Sequence, residues 1–169
     1  MDAAAELAAL QDATFAASPR ATATSYPPQH RMTGDALLSV LSSRRYAVVS
    51  TTRPDGRPHS APSAFVLSGT SIWLPTVEGA VRLRNVRSNP YAVVVVSDGV
   101  ADDHLAVLAE GPVSVAEGLP GEVERDVVRQ LGSVPDWVGS WIVLRPSRLL
   151  SYAADGTGLA TGTGEPPEV

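Results

Sequence analysis

The 169-residue sequence contains no cysteine and no lysine. Without cysteine there can be no disulfide, no thiolate-held zinc or iron–sulfur centre and no thiol nucleophile. All thirteen basic residues are arginine, which accords with a GC-rich coding bias that also accounts for the abundant Ala, Gly, Pro and Val. Histidine is scarce, and His30, His59 and His104 are too scattered to read as a metal site by spacing. No apolar run approaches the roughly 20 residues that span a bilayer, and the first residues lack a basic-then-apolar leader pattern. The expected setting is therefore cytoplasmic, with no membrane partner. A net charge of −5 argues against a general nucleic-acid binder. A local anion site remains open, because neighbouring arginines outweigh the total charge at contact range.

What is present describes a folded domain. Hydrophobic content is 44%, mean hydropathy is +0.04, and the length suits one domain. Residues 1–31 read as an N-terminal helix over 1–17 followed by a proline-rich, extended connector. Residues 32–154 read as the main folded domain, and 155–169 as a Gly/Thr/Pro-rich disordered tail. Thr33 is placed to cap a helix over 34–43, and 121–131 has apolar residues at helical spacing. Six β segments are expected at 46–52, 58–67, 71–74, 91–97, 104–117 and 141–152. The valine-rich 91–97 reads as buried on both faces, and 98–103 as a polar loop. Short turns without βαβ alternation point to a mainly β (α+β), antiparallel barrel with flanking helices. No Gly-x-Gly-x-x-Gly follows the first strand, which excludes a dinucleotide fold of that type.

The stretch 71–90, SIWLPTVEGAVRLRNVRSNP, carries the chemistry. It reads as a strand, a turn and a helix over 79–88 with Arg82, Arg84 and Arg87, stopped by Asn89-Pro90. A strand feeding a helix start gathers free backbone N–H groups, and the positive helix end beside Arg82 offers a phosphate seat. The reading is a phosphate-bearing redox cofactor. Arg82 is open to a second reading as the solvated face of an amphipathic helix, and Thr76 as a simple helix cap. Asn85, a poor helix former, could bond either a cofactor or a neighbouring loop. His59 invites an acid–base role through its ordinary pKa but equally fits an exposed strand position. The three tryptophans read most simply as core or interface aromatics.

Taken together, these residues resemble the flavin-binding split β-barrel superfamily, the pyridoxamine 5′-phosphate oxidase-like proteins and their deazaflavin-using relatives. The resemblance covers roughly 33–152. It rests on DALLSVLSSRRYAVVSTTRPDGRPHSAP, on the 76–90 segment, on Glu110-Gly111 and on the closing WIVLRPSRLLSY. Thr76, Arg82, Asn89 and Pro90 fall on the family pattern. Ala80 stands where serine is common, and Arg82 where lysine is usual. Arg84-Asn85 and Ser60-Ala61-Pro62 match the deazaflavin branch. The resemblance implies a six-stranded split barrel and a flavin-type cofactor, FMN or the deazaflavin F-420. It implies a phosphate held by Thr76, the turn N–H groups near Val77 and Ala80, and Arg82, with Asn85 nearby. His59, Ser60, Ala61, Pro62 and Ser63 would lie at the ring edge. A homodimer with the cofactor at its interface would transfer hydride to a small-molecule substrate, the alternative being a non-catalytic flavin, deazaflavin or haem carrier. Residues 63–68 lack the basic residue expected for vitamin B6 phosphate contacts.

Overall fold

The computed structural model describes residues 2–100 and 102–155; the tail expected over 155–169 lies, Asp155 apart, outside them. The chain runs α1 (Ala3–Ala17), α2 (Arg20–Ser25), α3 (Gly34–Ser43), β1 (Tyr46–Thr52), β2 (Pro58–Ala64), β3 (Val66–Ser68) and β4 (Ser71–Thr76). It continues through α4 (Val81–Ser88), β5 (Tyr91–Val100), β6 (Asp103–Ala116), α5 (Gly121–Leu131), β7 (Ser140–Leu144) and β8 (Arg148–Ala153).

Neighbouring strands follow the order β2-β1-β5-β6-β7-β4-β3, with β8 on β6, and every pairing is antiparallel. The two ends of this order, β2 and β3, are separated in sequence by Phe65 alone. One segment thus pairs first with β1 and then with β4, and the sheet closes into a barrel. β6 divides in the same way, pairing with β8 over 105–110 and with β7 over 113–116.

All six expected β segments are present, and eight strands result because two of them are broken. The 58–67 segment breaks at Phe65, whose side chain is fully buried in the core. The 141–152 segment breaks where residues 145–147 oppose only Gly111 and Pro112, a one-residue bulge. There Arg145 N–H donates to Pro112 O (3.1 Å) and Ser147 N–H to Glu110 O (2.9 Å). A Cβ at Gly111 would stand 2.8 Å from Ser147 N and closer still to Arg145 O, so only glycine admits this crossing.

Three local expectations are corrected. The connector over 18–31 is not extended throughout, because Pro19 starts α2 and Pro28–His30 forms a 3-10 turn; proline's fixed φ suits a helix start. In the loop expected over 98–103, residues 98–100 extend β5 and Asp103 begins β6, with Val100 opposite Asp103 and Gly99 at φ 122. β5 is buried on one face only, since Ala92, Val94 and Val96 point inward and Val93 and Val95 are half-buried.

Inside the barrel, Leu37, Val40 and Leu41 of α3 and Leu7 of α1 join Val49, Val94, Val107, Ile142 and Leu149 in one core. Thr33 caps α3 as expected, accepting from Ala36 N–H at 3.2 Å. A second cluster sets Val123 and Val127 of α5 over Trp73 and Trp141, whose rings meet edge-on at 6.5 Å. Trp137 is half-exposed. No helix among the described residues is long and apolar enough to cross a membrane.

Candidate cofactor site

β1 alternates strictly, with Ala47, Val49 and Thr51 buried. A threonine in a core-facing position needs a polar partner, and α4 supplies one. Asn85, fully buried, donates from Nδ2 to Thr51 Oγ1 at 2.9 Å. Thr51 pairs across the ladder with His59 of β2, and cross-strand partners share a face. Asn85, Thr51 and His59 therefore converge beneath α4. Thr51 was not singled out from the sequence, although a polar residue in phase with Ala47 and Val49 marks the position.

Arg82 lies three residues before Asn85 on the same stripe of α4. Its Nη2 donates to Pro75 O at 3.4 Å, so the structure does bring Arg82 to the residue next to Thr76. Burial pushes the Arg82 guanidinium below its usual pKa. Thr76 itself is fully buried, and its hydroxyl donates to Leu74 O at 3.1 Å. It does not cap α4, whose N-cap is Ala80 without a side-chain bond; the helix begins at Val81, two residues later than expected. An alanine cap leaves first-turn N–H groups without a side-chain acceptor. Val77 and Val81 are exposed beside it.

The chain leaves four buried side-chain polar atoms without a partner among the described residues: Arg44 Nε, His59 Nδ1, Arg82 Nη1 and Asn85 Oδ1. Three of the four sit in this one cluster. Each such atom costs about 1–3 kcal/mol relative to a satisfied one, so their gathering fits a bound group that supplies an anion to Arg82 and a donor to Asn85.

The remaining expected residues divide by strand phase. Ala61 is half-buried, and Ser63 is buried with its hydroxyl donating to Ala64 O at 2.9 Å. Ser60 and Pro62 face outward, and the hydroxyls of Ser60 and Ser50 are 2.8 Å apart. The ladder fixes the backbone as well: Arg53 N–H donates to Arg57 O, and Phe65 N–H donates to Arg45 O. Odd-numbered residues of β2 thus bond β1 and even-numbered ones point away. Pro58 and Pro62 have no N–H, which leaves Ser60 N–H as the one outward donor over 58–62, with β1 the only strand paired to β2 among the described residues.

A family model described as pyridoxamine 5′-phosphate oxidase matches residues 33–155. No curated protein sequence matches. Among solved structures, a conserved hypothetical protein of Mycobacterium tuberculosis superposes with a TM-score of 0.67 at 21% identity, over 79% of this chain and 92% of that one. An FAD-binding protein of Mycobacterium smegmatis gives 0.52 at 18%, over 67% and 88%. An F-420 reductase gives 0.52 at 23%, over 66% and 93%. These identities carry the fold, while the family match takes in the barrel from the cap of α3 to the end of β8. The chain belongs to the pyridoxamine 5′-phosphate oxidase family.

Proposed function

We propose that the chain is an oxidoreductase that binds FMN or the deazaflavin F-420 and works as a homodimer on a small organic substrate. The observation that carries this reading is the cluster of unpartnered buried atoms, Arg82 Nη1, Asn85 Oδ1 and His59 Nδ1. When bound, such a cofactor supplies two-electron hydride transfer. The protein's own residues bind and orient. Arg82 and the uncapped start of α4 would hold the phosphate, and Asn85 Oδ1 would accept from a tail hydroxyl. The open edge of β2 at Ser60 would meet the ring's polar rim. The two structural neighbours named for FAD and F-420 support a cofactor of this chemistry. The absence of a basic residue over 63–68 argues against vitamin B6 phosphate as the substrate.

Dimerisation is supported by one row of the outer face. Pro62, Val48, Val95, Leu108 and Leu150 stand side by side across five strands, with Val48 44% exposed and Tyr46 66%. An apolar row beside the site suits a second copy, which would close the pocket between protomers.

The test is Arg82→Met. Removing a half-buried, under-bonded guanidinium should leave the thermal stability of the ligand-free protein unchanged or higher, while cofactor affinity falls by about 1–3 kcal/mol. Equal loss of both would make Arg82 a structural residue and sink the reading. A protein that binds cofactor but shows no turnover with a reductant and organic acceptors would be a carrier.

A further inference from the structure

α5 is fastened to the β3–β4 hairpin at one end only. Gln130 bonds both main-chain groups of Leu67, and one turn earlier the Ser68 hydroxyl donates to Asp126 Oδ2 at 2.7 Å. Arg129 pairs with the same carboxylate, so the charge of Asp126 is already met. Pro120, the N-cap of α5, makes no side-chain bond, and among the described residues no hydrogen bond carries the first turn of α5 onto the hairpin. Between that turn and the hairpin lies a cavity of about 440 Å³, within the range of about 300–1,000 Å³ common to small-molecule sites. It opens at the Ser71 end of β4, five residues along the strand from Thr76, a distance of about 16 Å. It shares no lining residue with the cluster at Arg82.

The cavity has an apolar floor and a charged rim. The buried side chains of Trp73 and Val123 form the floor, and the edge-on contact with Trp141 fixes the Trp73 ring. Glu122 and Arg145 stand exposed at the rim. Arg145 Nη1 donates to Ser114 Oγ at 3.0 Å, which leaves the Nε–Nη2 edge of the guanidinium open. Although Glu122 and Arg145 line one cavity, they do not pair with each other. Among the described residues neither forms an ion pair with any other side chain. Opposite charges held apart above an apolar floor complement a ligand that carries both charges close to a ring.

We propose that this cavity binds a free α-amino acid with an aromatic side chain, independently of the cofactor reading above. The carboxylate meets the open edge of Arg145, whose planar fork suits it. The ammonium meets Glu122, and the ring lies against Trp73, where aromatic contact adds to burial. Because the walls are tied together at residues 126 and 130, the site is formed before the ligand arrives, and binding has little ordering to offset.

Calorimetric titration of the full chain with L-phenylalanine, phenethylamine, N-acetyl-L-phenylalanine and L-alanine tests this. The last three lack in turn the carboxylate, the ammonium and the ring. L-Phenylalanine should bind and change the indole emission, and each analogue should bind about tenfold more weakly or worse, the scale of one charge-assisted contact. Arg145→Met should close the gap between phenylalanine and phenethylamine, and Glu122→Gln the gap between phenylalanine and its N-acetyl form. Both side chains are exposed, so the unfolding midpoints of the variants should stay near that of the wild type. Absence of phenylalanine binding, an analogue that binds the wild type as tightly as phenylalanine, or gaps that persist in both variants overturns the proposal. None of these outcomes bears on the cofactor reading.

Discussion

At the outer side of β3, Gln130 of α5 donates from Nε2 to Leu67 O (2.7 Å) and accepts from Leu67 N–H at Oε1 (3.0 Å), filling the place of a strand neighbour. β8 is treated likewise. Thr14 Oγ1 of α1 accepts from Leu149 N–H at 3.0 Å, Gln11 accepts from the Ser151 hydroxyl, and His30 Nδ1 lies 3.1 Å from Ala153 O. Among the described residues, β2 receives no such bond from a helix side chain. Its free side is defended by subtraction, since Pro58 and Pro62 delete the donors that a further strand would need. The difference teaches that two borders are closed by helix side chains, while the third keeps unpaired main-chain groups, the feature on which the proposed ring contact rests.

The contrast is broken most sharply at a sealed border. Gln130→Ala leaves both Leu67 main-chain groups without their partner and should cost about 2–6 kcal/mol, at roughly 1–3 per group. Urea denaturation measures this, and cofactor affinity should not move. At the open border the pattern inverts. Ser60→Pro deletes one outward N–H that the β1 ladder does not use, so the unfolding free energy should change by less than about 1 kcal/mol. Cofactor affinity should fall by about 1–1.5 kcal/mol. Lost stability with retained affinity would put that N–H inside the ladder and erase the distinction.

The smallest effect concerns the turn that leads into β2. Arg57 bonds Asp55 and holds its carboxyl below the usual carboxylate range. A depressed folded pKa means the contribution is present above the unfolded value, about 3.9, and is lost as pH falls through the folded one. The stability gap between wild type and Asp55→Asn, small because the group is exposed, should therefore close as the solution is acidified below about pH 4. A gap that persists there would assign it to the hydrogen bond that Asp55 Oδ1 accepts from Arg57 N–H rather than to the carboxylate's charge.

The strands were legible because β-branched runs bounded by turn residues announce themselves locally. The two breaks, at Phe65 and at 145–147, were not, since each exists only because a strand changes neighbours as the barrel closes. Arg44 and Arg45 illustrate the same limit. They follow directly on α3, yet Arg44 pairs with Asp98 at 2.7 Å and Arg45 donates to Leu131 O at the end of α5. The site divided along similar lines. Arg82 and Asn85 follow from helix spacing, whereas the burial of the Thr76 hydroxyl and the Asn85–Thr51 bond depend on how α4 docks against β1, which no window of sequence contains.

Gly111 has a consequence beyond tolerating a tight approach. The strand on which it sits belongs to both sheets, and the crossing chain lies against it where any methyl group would go. The joint therefore has no slack. Loops at the rim can lengthen or change composition without the two halves of the barrel shifting relative to each other, and variety in ligand pockets becomes available at the periphery because this one weld is rigid.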